Sequence, residues 1–208
     1  MKRLIAMKPF SFTALALALL LSSPAAADEL TGQAKVRLQL ERTLSAIEFV
    51  PSQQQLVLIH AGVDKMLLEI ARGKTTRPLA QNRAITALRY FPGKEAVALL
   101  QELVDNSKCK VDDHLCRLNL QQALTSYAVL KGHAAVPRIA PFLGHAHMDL
   151  RMAAALALRL TASHRALPLM AEQITREKSA TVRAEIEQQI RIMEGAERRV
   201  NKPRIPGK

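Results

Sequence analysis

The stretch "DLRMAAALALRL", residues 149 to 160, decides the fold, because its spacing recurs along the chain. Counted from Arg151, small or apolar residues stand three, six and seven places on, at Ala154, Ala157 and Leu158. Positions three and seven apart lie on one face of an α-helix. The stretch therefore predicts a helix with one stripe of small and apolar side chains.

The same spacing can be found three more times. The additional origins are Gln81, Arg117 and Arg183. With Arg151 included, the four origins step by 36, 34 and 32 residues. The positions that repeat are, in order, Ala84, Ala87 and Leu88; Leu120, Ala123 and Leu124; and Ile186, Gln189 and Ile190. A second apolar segment follows each of the first three copies: "EAVALLQEL" from Glu95, "AAVPRIAPFL" from Ala134 and "RALPLMAEQI" from Arg165. The repeated unit is predicted to be a pair of helices.

Helix boundary signals agree with this pairing. Asp113, Asp149 and Ser179 precede the first helices as N-caps, and "FPG" at 91–93 and "KGH" at 131–133 break the chain between paired helices. Only "VRLQL", residues 36–40, hints at strand alternation, and it fits a helix equally well. We therefore predict an all-α protein.

The pattern of Arg followed by Ala or Leu at these offsets, then "AVPRI" or "ALPLM", is similar to HEAT repeats of the short subtype related to phycobilisome lyases. The resemblance implies an α-solenoid of about four helical hairpins, with second helices lining a concave surface. It would comprise an irregular N-terminal cap at 28–76 and repeats at 77–197. Gln81 in place of arginine, the polar Gln189 and the missing second helix after Arg183 depart from the pattern. The last two indicate a terminal, capping repeat.

The N-terminus has the elements of a secretory signal peptide. Lys2, Arg3 and Lys8 accompany an apolar run at 10–21, and "SSPAAADE" follows. Cleavage is predicted between Ala27 and Asp28, so residues 1–27 are removed and the protein is periplasmic or secreted. A membrane anchor is the alternative, although the run is shorter than the roughly 20 residues that span a bilayer. No transmembrane helix is expected after removal of the signal.

Positive charge is concentrated at the C-terminus. The chain carries a net charge of +12, and loss of three basic residues with the signal leaves +9. Five positive residues lie in the segment 198–208: Arg198, Arg199, Lys202, Arg204 and Lys208. We expect a flexible basic tail that contacts anionic envelope polymers weakly or simply remains solvated. Nucleic acid is not an expected partner, because export would take the protein out of the compartment that contains most nucleic acid. In addition, few aromatic residues are available for base stacking.

Cys109 and Cys116 form a close pair in "CKVDDHLC". In an exported protein such a pair is most simply a disulfide. A metal site with His114 or Asp112 is the alternative, but the spacing does not match a zinc knuckle.

Histidines at 133, 145, 147 and 164 suggest either a metal site or ordinary polar loops, since "GHAHMD" places His145, His147 and Asp149 close together. HEAT-like hydroxylases hold iron through His-Glu dipeptides, and this chain contains none. The sequence contains no recognisable catalytic motif, and no cofactor is expected.

The sequence therefore predicts a non-enzymatic scaffold that binds protein partners of the cell envelope through the concave face. A metal- or cofactor-dependent enzyme of the HEAT-like type, either bilin lyase-like or hydroxylase-like, is the alternative. The expected contact surface consists of outward residues on the second helices: Gln101, Glu102, Arg138, Glu172, Gln173 and Arg176.

Overall fold

The computed structural model describes residues 24–47, 49–106, 109 and 113–200, and it places the side chains of 32–47, 49–106, 109 and 113–196. The basic region and apolar run of the predicted signal peptide lie outside these residues, as do residues 201–208 of the predicted tail. The predicted cleavage junction, Ala27–Asp28, lies within the first helix.

The described residues form helices and turns, and no strand occurs among them. The all-α prediction is therefore confirmed, and the segment 36–40 is helical. In chain order the α-helices are α1 (Pro24–Leu44), α2 (Gln53–Ile59), α3 (Val63–Ala71), α4 (Pro78–Ala87), α5 (Lys94–Asp105), α6 (His114–Lys131), α7 (Val136–Ile139), α8 (Met148–Leu160), α9 (Ala166–Arg176) and α10 (Ala180–Val200). Within the described residues, no helix is both long and apolar enough to cross a bilayer.

The chain divides after Gln39 into two compact units. The described part of the first unit is the beginning of α1. The second unit, from Leu40 onward, contains the end of α1 and all the later helices, and its buried apolar side chains form one continuous core.

The predicted first helices correspond to α4, α6, α8 and α10, and each of them packs against the next. Packing also joins α3 to α4, α5 to α6, and α9 to α10. Each repeated first helix therefore has a neighbour of the same kind, and the apolar stripes face one another in the core.

Burial follows the repeated spacing closely. At offsets three, six and seven, all three side chains are buried in α6 and α8, and the same holds for α4 with Leu88 directly after its end. In α10, Ile186 and Gln189 are buried and Ile190 is half-buried. Alanine at the middle offset, as at Ala123 and Ala157, leaves room for the backbones of neighbouring helices to approach closely.

Gln189 is polar and yet buried because both ends of its amide are hydrogen-bonded. Its Oε1 accepts from Nε of Arg159 on α8, and its Nε2 donates to Oε1 of Glu185 at 2.7 Å. A buried polar group is tolerated when its partners are present. The departure at Gln189 therefore provides a polar link between α8 and α10.

Two of the three predicted N-caps are present. The Asp113 carboxylate accepts from the Cys116 amide at 2.9 Å, and the Ser179 hydroxyl accepts from the Val182 amide at 3.4 Å. The prediction for Asp149 is wrong, since α8 begins at Met148 and Asp149 lies inside its first turn. An acidic residue there still interacts favourably with the positive end of the helix dipole.

The apolar segment after α6, from Ala134 to Leu143, is not one continuous α-helix. It consists of α7 between two 3-10 turns, Gly132–Ala135 and Ala140–Gly144. Pro137 and Pro141 both lack a backbone donor, and the ring of Pro141 would clash with the carbonyl four residues earlier in a regular helix. The prediction of a full second helix after α6 is therefore wrong, since the α-helical part covers only Val136–Ile139.

The last helix extends further than the sequence pattern indicates. α10 continues through Gly195 to Val200, so Arg198 and Arg199 of the predicted tail lie at the end of a helix.

Candidate functional site

A cleft of about 590 Å³ lies along α6 and α8, which are the first helices of two successive helix pairs. Helices α6 and α8 provide most of its lining, Arg89 enters from the turn after α4, and Glu185 enters from α10. On α6 the lining extends from His114 to Thr125, which is about 17 Å of helix. The cleft is therefore long enough to accommodate about three turns of a partner helix.

Lining residues of α6 and α8 fall into five pairs that are 35 residues apart: His114 and Asp149, Arg117 and Met152, Leu118 and Ala153, Gln121 and Leu156, and Thr125 and Leu160. The repeat steps by 34 residues between these helices, from Arg117 to Arg151, so the members of each pair are one position out of register with it. The two helices therefore line the cleft with adjacent positions of the repeat.

Basic and acidic residues enter the cleft from different elements. The basic residues are Arg89 from the turn after α4 and His114 and Arg117 from α6, whereas the acidic residues are Asp149 from α8 and Glu185 from α10. The apolar lining consists of one residue of α6, Leu118, and four of α8: Met152, Ala153, Leu156 and Leu160. The cleft therefore suits a ligand with an apolar strip and charged flanks of opposite sign.

A buried ion pair fixes the beginning of α8. The Arg151 guanidinium donates to both carboxylate oxygens of Glu177, at 2.8 and 3.0 Å, and the Glu177 side chain is only 3% exposed. Arg151 also donates to the carbonyl oxygens of His145 and Ala146, at 2.9 and 3.0 Å. One arginine thereby ties the turn before α8 to the link between α9 and α10.

Two pKa values are lowered around this pair. Burial alone would raise the pKa of Glu177, but the hydrogen bonds and charge of Arg151, with the Ser179 amide and Gln173, bring it below its ordinary value. Burial lowers the pKa of His145, and the nearby positive charges of His147 and Arg151 lower it further. The site thus favours the ionised carboxylate and the neutral imidazole.

A second arginine organises the turn after α1. The guanidinium of Arg83 donates to the carbonyl oxygens of Ala46, Ile47 and Phe49. Gln81, where the repeat pattern expects arginine, donates instead to the carbonyl oxygen of Ala71 at 3.2 Å. Arg83, two residues after Gln81 on α4, therefore contacts backbone carbonyls, as Arg151 does at the beginning of α8.

The six predicted contact residues lie on α5, α7 and α9, outside the cleft. Gln101 and Gln173 are half-buried, and the other four, Glu102, Arg138, Glu172 and Arg176, are exposed. Arg138 pairs with Asp105 at 3.2 Å, and Arg176 pairs with Glu172 along α9. Much of this charge is therefore already neutralised within the chain.

Cys109 and Cys116 are joined in a disulfide, with Cα atoms 5.5 Å apart. It connects the segment after α5 to the first turn of α6. The predicted pairing is confirmed.

The histidines do not gather into a metal site in the described part of the chain, where no group of three or more His, Cys, Asp or Glu is placed to hold an ion. His145 stacks on His147 with ring centroids 5.9 Å apart, and its Nδ1 accepts from the His147 amide at 3.0 Å. That nitrogen is occupied by the turn itself. His133 lies in the 3-10 turn before α7, and His164 precedes α9.

Comparison with protein-family models, with curated proteins and with solved structures gives no match. A proposal about function therefore depends on the geometry of this chain.

Proposed function

We propose that the chain is a HEAT-like α-solenoid in which α4, α6, α8 and α10 are successive first helices. The support is their packing in chain order, with small or apolar side chains buried at the repeated offsets. Stacked units of this kind bury a continuous core that no single helix pair could form.

The proposed function is a non-enzymatic scaffold that binds a protein partner, and the cleft on α6 and α8 is the proposed docking site. The observation that carries this proposal is a cleft that combines apolar side chains with basic residues from α6 and acidic residues from α8 and α10. An amphipathic helix supplies the matching arrangement, because its apolar residues recur every three or four positions. The partner segment is therefore a helix with an acidic flank against α6 and a basic flank against α8.

Export to the periplasm or the medium belongs to the same proposal, with cleavage between Ala27 and Asp28. An exported disulfide-bonded chain is consistent with an oxidising compartment. The partner is then a protein of the cell envelope. N-terminal sequencing of the protein recovered from the envelope should begin at Asp28.

Photo-crosslinking in cells tests the docking site. A benzophenone amino acid is introduced at Gln121, which lines the cleft, or at Glu172, an exposed residue of α9. Irradiation should give a discrete adduct from position 121 and little from position 172. A second change, Leu156→Glu, places a charge among the apolar side chains of the cleft and should remove the adduct.

The control variant Leu169→Glu puts the same charge on half-buried Leu169 of α9, away from the cleft. Circular dichroism checks that both variants remain folded. Adducts only at position 172 would place the partner on the second helices and overturn the cleft assignment. The absence of adducts at both positions would overturn the scaffold function. One iron or zinc per chain by elemental analysis would favour the enzyme alternative.

A further inference from the structure

The disulfide stands at the beginning of a helix that lines the proposed docking cleft. Cys116 lies in the first turn of α6, and its amide donates to the carboxylate of the N-cap Asp113 at 2.9 Å. Its neighbours His114, Arg117 and Leu118 all line the cleft. The basic residues that α6 contributes to the cleft therefore lie within two residues of the disulfide.

Cys116 also occupies the place of an apolar anchor in the repeat. It stands one residue before the origin of the repeat in α6, and the equivalent residues of α4, α8 and α10 are Ala80, Leu150 and Val182. Those three side chains are fully buried, whereas Cys116 is only half-buried. The covalent bond to Cys109 therefore takes the place of a buried apolar contact that the other three first helices have.

The beginning of α6 buries little surface of its own. The first buried side chain of this helix is Leu120, and residues 114–119 are half-buried or exposed. In α8, by contrast, Leu150 is already buried at the third position. Because packing of an apolar face supplies most of the stability of a helix in a protein, the first turns of α6 depend strongly on the disulfide and the Asp113 cap.

The disulfide can be approached from the side of α6 that faces away from the cleft. Both cysteines are half-buried and line a separate pocket of about 190 Å³ between α5 and α6. On α6 this pocket is lined by positions 116, 119 and 120, whereas the cleft is lined by 114, 117, 118, 121, 122 and 125. At about 3.6 residues per turn, the two sets centre on opposite faces of the helix. A thiol can therefore approach the bond while a partner occupies the cleft.

We infer that the disulfide positions the basic end of the cleft, so that binding of the partner helix depends on the oxidation of Cys109 and Cys116. The inference rests on the proposed docking function. With the bond formed, His114 and Arg117 are held on an ordered turn. With both thiols free, the turn opens more often and the acidic flank of the partner loses these basic contacts. An exported chain therefore becomes a competent scaffold only after oxidation.

The oxidised and reduced states interconvert by thiol–disulfide exchange with a dithiol. A thiolate of the dithiol attacks Sγ of Cys109, and Sγ of Cys116 leaves as a thiolate. The second thiol of the dithiol then displaces Cys109 and closes a disulfide of its own. Two electrons and two protons pass to the chain, and the reverse sequence restores the bond. Cys116 is the favoured leaving group, because the positive end of the helix dipole stabilises a thiolate in the first turn.

Hydrogen exchange of the purified full chain tests the local effect. The test variant is the double substitution Cys109→Ala with Cys116→Ala, which preserves helix propensity because alanine is a good helix former. Peptides that cover residues 114–120 should exchange at least about tenfold faster in this variant than in the oxidised wild type, while peptides at the beginning of α8 should change much less. Unchanged exchange at 114–120 would overturn the inference. So would an equal change in both helices.

Photo-crosslinking in cells tests the effect on binding, with the benzophenone amino acid at Gln121 as the probe. The cysteine-free variant should give about tenfold less adduct than the wild type, a coupling within the usual range for linked sites. The matched control is Ile70→Ala on α3, outside the cleft. Truncating this fully buried side chain destabilises the protein at least as much as loss of the bond does. The control should nevertheless keep its adduct.

Failure of the inference and failure of the docking function give different results. Absence of an adduct in the wild type would overturn the docking function, and the inference with it. A wild-type adduct that persists undiminished in the cysteine-free variant would overturn the inference alone. An equal loss of adduct in Ile70→Ala would also overturn it, because the effect would then follow overall stability rather than the position of the first turn of α6.

Discussion

Replacing Arg151 with methionine should destabilise the protein by about 4 kcal/mol at pH 7. The change keeps an unbranched apolar side chain but leaves the Glu177 carboxylate, which is 3% exposed, without its ion-pair partner. Removing one member of a buried ion pair costs about 3 to 5 kcal/mol. The Ser179 amide, 2.9 Å from Glu177, still donates and limits the loss. The melting temperature should fall by roughly 8 to 16 °C for a protein of this size.

The loss in Arg151→Met should be smaller at pH 4 than at pH 7. In the wild type the pKa of Glu177 lies below its ordinary 4.5, so its stabilising contribution is complete above pH 4.5 and disappears as the pH falls through the folded pKa. Without Arg151, the pKa-lowering hydrogen bonds and charge of that residue are lost and burial still raises the pKa, so the carboxyl group takes up a proton more readily at pH 4 than at pH 7. Urea unfolding followed by circular dichroism measures both free energies.

The exposed pair of Arg176 and Glu172 provides the matched control. These side chains are 71% and 55% exposed, so Arg176→Met should cost no more than about 0.5 kcal/mol. Equal losses of stability in the two arginine variants at pH 7 would contradict a stabilising role for the buried ion pair. So would a loss in Arg151→Met that is the same at both pH values.

Three further perturbations have defined outcomes. Reducing the disulfide should lower the free energy of unfolding by about 2.5 kcal/mol, measured by urea titration with and without reductant; an unchanged midpoint would contradict this. Gly132→Ala should destabilise the protein by about 1 to 2 kcal/mol, because the backbone φ at this residue is +53°. Gly195→Ala, inside α10, should stabilise it by about 0.5 kcal/mol. Melting temperatures that shift in the same direction for both variants would contradict these backbone effects. Folding lowers the pKa of His145, so as the pH drops below 6.5 the unfolded chain binds a proton at this residue more readily than the folded protein, and stability should decline. His145→Asn keeps a hydrogen-bond acceptor for the His147 amide but does not titrate in this range. Its melting temperature should therefore decline less steeply.

The sequence predicted the buried face of the repeated helices well. Periodicity depends on local geometry, so the template read from Arg151 identified eleven buried positions and one half-buried position in four helices. It also located the ends of several helices, because glycine at 93 and 132 and capping side chains at 113 and 179 act within a few residues.

The sequence could not predict which side chains that are distant along the chain form ion pairs. Arg151 and Glu177 are 26 residues apart, and no spacing rule connects an arginine in one helix with the link between two others. The recurrence of arginine at 117, 151 and 183 was a usable signal of a structural role. It gave no indication of the partner.

The position of the cleft was also not predictable from periodicity. The spacing marks which face of each helix is buried, but the helices on which a groove opens depend on how successive units pack. The contact surface expected from the resemblance to HEAT repeats lies on α5, α7 and α9, whereas the cleft of about 590 Å³ is lined mainly by α6 and α8. A smaller pocket of about 190 Å³ includes Glu102 of α5. Two prolines at 137 and 141 further reduced the second segment of the middle unit to α7 and its flanking turns.

Distances between spin labels test the stacked-repeat account most directly. Positions 79, 149 and 181 stand two residues before the origin of the repeat in α4, α8 and α10. Cysteines introduced there are labelled in pairs, and the labelled chain is diluted with unlabelled protein so that only distances within one molecule are measured. Neighbouring packed helices lie about 8 to 10 Å apart. A stack of first helices predicts that the 79–181 distance exceeds the 79–149 distance by about that spacing, whereas an equal or shorter 79–181 distance would contradict the stack.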